Sequence, residues 1–187
     1  MSEVTKAAYK FINAKSIEEI KELNTLFVKG EIAGTCYHLG KLDRESNLIL
    51  HQLIKINDLG LITTNSQPGI PEDVWNNNYE QRAFLTFLIK KKDYGIFKNE
   101  LTKINDEYYH RKCTDDPDFC PPGLYWLSRD RFKNFTHFAF ELTKCYSFHD
   151  CNLYEEIKED YCEVEVVDPV WGRNILFDDI IKALKNM

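Results

Sequence analysis

Cys162-Glu163-Val164-Glu165-Val166 alternates apolar and charged side chains without a break. Successive side chains of a strand point to opposite faces, so this period of two predicts a half-buried strand with one wet face. Pro169, which cannot donate to a ladder, closes it. Upstream, Arg82 to Ile89 is almost continuously apolar and predicts a strand buried on both faces. Leu61-Ile62-Thr63-Thr64 reads as a third, short strand running into a polar turn, Asn65-Ser66-Gln67-Pro68-Gly69. Glu107 to Arg111 suits another strand, and Phe132 to Leu142 fits either period, with a strand preferred.

Helical periods lie between and around these runs. Ser16-Ile17-Glu18-Glu19 is a capping box, followed by Ile17, Ile20, Leu23 and Phe27 at helical spacing and by Gly30 as a stop. A second helix is expected from about Arg44 to Asp58, with Ile49, Leu53 and Ile56 on one face, Leu48 widening it, and Gly60 where a left-handed cap is wanted. Tyr94 to Ile104 presents Phe97, Leu101 and Ile104 on one side, and Asn174 to Leu184 forms a terminal helix with Phe177, Ile180, Ile181 and Leu184 inward. Pro71 to Tyr79 and Cys113 to Gly123 read as loops. Irregular interleaving of this kind predicts an α+β fold: residues 1–187 as a single domain, with a mixed central sheet of about four to five strands and helices packed on it.

At 187 residues the chain is long enough for one full core, and 43% apolar with 29% charged residues excludes wholesale disorder. The formal charge of −6 disfavours nucleic acid as a direct partner, and the one basic run, Lys90-Lys91-Lys92, reads as a solvated strand end. Met1-Ser2-Glu3-Val4 does not open a secretory leader, and apolar runs such as Phe84 to Ile89 are too short to span a bilayer. The expectation is a cytoplasmic, reducing location without a membrane. There the Asn134-Phe135-Thr136 acceptor is idle, and the six cysteines (Cys36, Cys113, Cys120, Cys145, Cys151, Cys162) are thiols or metal ligands rather than a disulfide framework.

Familiar catalytic motifs are missing: no Walker loop, dinucleotide fingerprint, nucleophile elbow or paired zinc histidines occur. His110, Cys113, Cys120, Cys145, His149, Cys151 and Cys162 crowd the second half, but their separations do not match the close pairs of structural zinc, so buried thiols are favoured and neither metal nor cofactor is expected. His149-Asp150-Cys151 invites a thiol-and-base reading; a polar turn is the better one, because catalytic pairs are assembled from distant segments. Two polar loops remain. Thr63 to Gly69 ends a strand in side chains that donate and accept hydrogen bonds, and Asp168 to Asn174 carries Trp171 and Arg173, a stacking wall and a bidentate anion fork. For each loop alone, turn-making and an Asp168–Arg173 pair are the simpler account.

Together, Leu53-x-x-x-Asn57-x-x-Gly60-x-Ile62-Thr63-x-x-Ser66-Gln67-Pro68-Gly69, Gln81-Arg82-Ala83 and Asp168-x-Val170-Trp171-Gly172-Arg173-Asn174 resemble an uncharacterised family, a domain of unknown function found in bacterial proteins and in proteins of large DNA viruses. The resemblance spans roughly Leu48 to Leu184, is specific only in these short motifs, leaves Asp106 to Tyr161 unmatched, and implies no established activity. It does imply that both loops belong to one shared pattern, and hence a small polar site built from Thr64, Ser66, Gln67, Arg82 and Arg173, with Trp171 as a wall. Two function classes follow. The first is a non-enzymatic interaction or structural protein, self-associating or binding a protein partner, and virion-associated if the source is viral. The second is a small polar-ligand-binding domain or enzyme using the two loops. The first ranks slightly ahead, because no histidine has an evident claim to serve Ser66 as a base; His38 and His51 cannot be placed by spacing.

Overall fold

The computed structural model describes residues 2–71, 79–112, 126–130, 135–138 and 148–187. The elements run α1 (Glu3–Ile12), α2 (Ile17–Val28), a 3₁₀ turn (Arg44–Leu48), α3 (Leu50–Asp58), β1 (Ile62–Gln67), β2 (Tyr79–Gln81), β3 (Phe84–Lys90), α4 (Lys91–Ile104), β4 (Tyr109–Lys112), β5 (Trp126–Asp130), β6 (Phe135–Phe138), α5 (Tyr154–Asp160), β7 (Tyr161–Val167) and α6 (Leu176–Lys185). The fold is α+β, as expected. The sheet is not mixed: β1, β3, β7 and β4 lie in that order with every neighbour antiparallel, and β2, β5 and β6 form a second, three-stranded antiparallel sheet. β7, the strand late in the chain, inserts between β3 and β4 and runs against both, so no parallel pair arises among the described residues.

β3 and β7 are the centre, paired over seven positions from Phe84–Val167 to Lys90–Tyr161. One face of this pair carries Leu85, Phe87, Val164 and Val166, all fully buried under α3, α4 and α6. Those helices supply Leu53, Ile56, Phe97, Leu101, Leu176, Phe177 and Ile180, and Ile49 joins them from the N-cap of α3. Each such side chain contributes about 1.5–3 kcal/mol on leaving water. Phe87 and Phe97 meet edge to face at 5.3 Å between centroids, which adds shape specificity to the burial.

The other face departs from the sequence reading. Glu163 and Glu165 were expected on a wet face, yet they are 4% and 9% exposed, and all seven β7 residues are buried. Period-two alternation reports side-chain direction, not whether solvent reaches the second face. Here a second apolar cluster adjoins that face: Leu88 and Tyr161 pack with Phe11 of α1, Ile20 and Leu23 of α2, and Ile157 of α5. The carboxylates are matched across the ladder. Arg111 and Thr86 stand opposite Glu165 on the flanking strands, and Thr64 Oγ1 donates to Glu163 Oε1 at 2.7 Å.

Helix starts obey their signals. Ser16 Oγ accepts the Glu19 amide at 3.2 Å, Gly30 has φ +77° and Gly60 φ +100°. Leu48 does not widen the α3 face; it closes the separate 3₁₀ turn and is 44% exposed. Two helices escape the periodicity reading: α1, capped by Ser2 and anchored by Ala7 and Phe11, and the short α5. The expected polar turn at Asn65-Ser66-Gln67 is instead strand, because a bulge at Thr64 shifts the register and lets β1 continue to Gln67 against Phe84. The loop expected at Pro71 to Tyr79 falls mostly, and that at Cys113 to Gly123 wholly, outside the described residues; within Phe132 to Leu142 the described part, Phe135–Phe138, is strand.

α2 straddles the β1 edge, where a buried amide network secures it. Asn57 Nδ2 donates to Leu53 O at 2.8 Å and to Thr63 Oγ1 at 2.9 Å, while its Oδ1 accepts from Asn24 Nδ2 at 2.8 Å and from the Thr63 amide at 3.2 Å. Asn24 Nδ2 and the Tyr37 hydroxyl both donate to Thr63 O, and the Tyr37 hydroxyl also donates to Asn24 Oδ1. Side chains thus occupy backbone groups that an edge strand would otherwise offer to another chain. Replacing Asn57 by Ala strands the Thr63 amide and removes a partner of Asn24. A loss of about 2–3 kcal/mol is expected, read as a lower urea midpoint at unchanged slope.

Candidate functional site

The two polar loops meet. Gly69 N donates to Asn174 Oδ1 at 3.2 Å, Gly172 N to Gln81 O at 2.9 Å, and Asp168 N to Ala83 O at 2.9 Å, extending the β3–β7 ladder by one bond. The contact is close enough to demand glycine twice. A Cβ on Gly69 would lie 1.9 Å from Arg173 O, and one on Gly172, at φ +69°, would lie 2.9 Å from Pro71 Cα. Ile70 and Gln81 exchange backbone hydrogen bonds at 3.2 and 2.8 Å, clamping the base of the first loop.

Of the six residues expected to form one polar site, three cluster. Gln67 Nε2 donates to Arg82 O at 3.0 Å, and the Arg82 guanidinium lies 4.2 Å from the Trp171 ring centroid, a cation–π contact that is largely buried. Arg173 turns to other partners. Its Nε donates to Asp168 Oδ2 at 2.7 Å, its Nη2 lies 2.7 Å from Asp168 Oδ1, and its Nη1 donates to Glu107 Oε2 at 3.0 Å. Asp168 is fully buried, and this ion pair holds the guanidinium charge, moving its pKa further upward. Asp168 Oδ1 also accepts from the Val170 amide at 2.9 Å, so the same carboxylate shapes the loop backbone.

Thr64 and Ser66 border a separate space. With His38, Asp43, Ser46 and Asn65 they line a small, solvent-open groove that also includes Phe27 and Leu53. The Thr64 hydroxyl is committed to Glu163, while Ser66 sits opposite Leu85. His38 Nε2 lies 3.1 Å from Lys41 O, and its ring packs on Phe27 at 5.4 Å. His38, Asp43 and Ser46 were absent from the sequence-derived site; they approach β1 only through the fold, and no spacing in the chain signals it.

Among the candidates for thiol and metal chemistry, Cys113, Cys120 and Cys145 lie outside the described residues. No group of three His, Cys, Asp or Glu among the described residues is placed to hold a metal ion. His110 sits on β4, where burial and then Lys98 lower its pKa. His149-Asp150-Cys151 begins in a turn: His149 Nδ1 lies 3.3 Å from Asp150 Oδ1, while the Cys151 thiol faces Cys36.

Residues 6–105 match the model of a domain family of unknown function, DUF6919, and the chain belongs to that family. The match includes the Ser66-Gln67-Pro68-Gly69 segment and Gln81-Arg82-Ala83 and ends before the Asp168-to-Asn174 loop. No curated protein matches the chain. No described helix is long and apolar enough to cross a membrane.

The two carboxylates on Arg173 have unequal weight. Asp168→Ala leaves the guanidinium and the Val170 amide without their buried acceptor, for an expected loss of about 3 kcal/mol. Glu107 is 56% exposed, and Glu107→Ala should change stability by under about 1 kcal/mol. Paired chemical denaturation checks this, and equal losses would show that Asp168 does not organise the loop.

Proposed function

We propose that this member of DUF6919 is a non-enzymatic interaction or structural protein, intracellular and virion-associated if its source is viral. One observation carries the reading: the polar groups of the two loops are directed at each other and at the sheet, with the Arg173 fork engaged by Asp168 and Glu107. A fork so engaged has to break a buried pair before it can take a substrate anion. Beside it the same segment exposes apolar side chains, Val170 at 40% and Ile175 at 46%, which a protein contact would cover. Light scattering across a concentration series tests the self-association form of this reading. A dimer that dissociates on dilution, and is lost in a V170D/I175D variant of unchanged melting temperature, is expected; a monomer at every concentration overturns self-association.

A second reading places a small polar ligand at the surface groove beside β1, against His38, Asp43, Ser46 and Ser66. Native mass spectrometry of purified protein, compared with the denatured chain, would then show extra mass that Ser66→Trp removes by filling the cleft. Unchanged extra mass in that variant would place any ligand elsewhere.

A further inference from the structure

Cys36 and Cys151, 115 residues apart in the chain, bring their sulfurs to 3.4 Å. Cys36 belongs to the loop after α2, in which Gly34 bridges Leu39, and is half-buried; Cys151 follows the turn that leads to α5 and is buried. The surrounding structure holds the pair in place. The Asn152 amide donates to Ile12 O at 2.9 Å, Tyr37 meets Phe148 edge to face at 5.1 Å, and Tyr37 meets Phe11 at 6.2 Å. Aromatic packing on both flanks thus fixes which two thiols are neighbours, and only a side-chain adjustment of about 1.4 Å separates contact from a bond of ordinary length.

We propose that Cys36 and Cys151 form a redox modification site, closing to a reversible disulfide that ties the N-terminal helices to the α5 segment, with a hydroperoxide as the oxidant. The shared hydrogen bond makes one sulfur the readier thiolate. The contact with Cys36 pulls the Cys151 thiol down, and the same contact, with burial, pushes Cys36 up. The Cys151 thiolate attacks the peroxide, the O–O bond breaks, hydroxide leaves and takes up a proton as water, and Cys151 becomes a sulfenic acid. The Cys36 sulfur then displaces that hydroxyl, the S–S bond forms and a second water departs. Two thiols lose two electrons and two protons in total, and the peroxide is the species reduced. His149 and Asp150 adjoin the site and are exposed, leaving solvent at the edge of a buried sulfur.

Differential alkylation of the full-length protein tests this. Free thiols are labelled before and after treatment with stoichiometric hydrogen peroxide, followed by non-reducing peptide mapping. The expected result is a Cys36–Cys151 linked peptide, loss of both residues from the alkylated pool, and a melting temperature that rises on oxidation and returns with dithiothreitol, because a long closed loop restricts the unfolded chain. In Cys36→Ser the linked peptide disappears and a sulfenic-acid trap such as dimedone labels Cys151. Both thiols remaining alkylatable, or either one linked preferentially to Cys113, Cys120 or Cys145, overturns the proposal. The wild-type mapping decides even if the variant fails to fold.

Discussion

Burial of two carboxylates on the central strand is the constraint from which the rest of the structure follows. Glu163 and Glu165 sit on β7 at 4% and 9% exposure, where an unmatched charge would be strongly disfavoured. The sheet answers with residues from its three other strands: Thr86 and Arg111 opposite Glu165, and the Thr64 hydroxyl on Glu163. The Thr64 bulge is part of that answer. The extra residue lets β1 present Thr64 to a carboxylate two strands away while Thr63 stays in the Asn24–Asn57 network on the helical side. What looks in the sequence like a run of ligand-binding hydroxyls is therefore divided between two internal duties.

The same strand sets the loop geometry. Beyond Val167 the ladder gains one more bond, from the Asp168 amide to Ala83, and this places a fully buried carboxylate at the entrance of the loop. Asp168 then orients Arg173 and the Val170 amide together, and the loop closes on Gly69 at a distance that admits no side chain. Tyr108 couples this corner to α6 by donating to Asp179 Oδ2 at 2.7 Å, with burial and that bond raising the phenol pKa. A site so internally bonded is rigid. Rigidity suits a surface presented to a partner, since little side-chain freedom is lost on contact.

Local chemistry explains what the sequence revealed. Capping at Ser16, left-handed stops at Gly30 and Gly60, and the two-sided burial of Phe84 to Ile89 each depend on a few neighbouring residues, and all are realised. The failures share a different character. A wet face for Glu163 and Glu165 was inferred from alternation, which is blind to what packs above. β1 ends early in the sequence reading because Asn65 and Ser66 carry turn propensity, whereas a bulge and an edge position accommodate them in a strand. At the candidate site, the pairing of the Ser66-Gln67-Pro68-Gly69 and Trp171-Gly172-Arg173-Asn174 segments was legible as a combination of motifs. The cleft partners His38, Asp43 and Ser46, and the Cys36–Cys151 contact, are products of long-range topology and left no trace in local spacing.

Topology also bears on what the family match means physically. Residues 6–105 contain most of α1, α2 to α4 and β1 to β3, yet the longest ladder of the sheet joins β3 to β7, at Tyr161–Val167. Without β7, β3 has only β1 beside it, and Leu85 and Phe87 lose Val164, Val166 and the α6 residues Phe177 and Ile180 from their cluster. A two-stranded remnant with that much exposed apolar surface is a poor candidate for independent stability. The matched segment is thus completed by the last strand and helix, and the loop joining them, Asp168 to Asn174, lies directly on the matched Gly69 turn. Sheet completion and loop contact are linked: the β7 pairing carries Asp168 to Ala83, and the loop that follows it reaches Gly69 through Asn174.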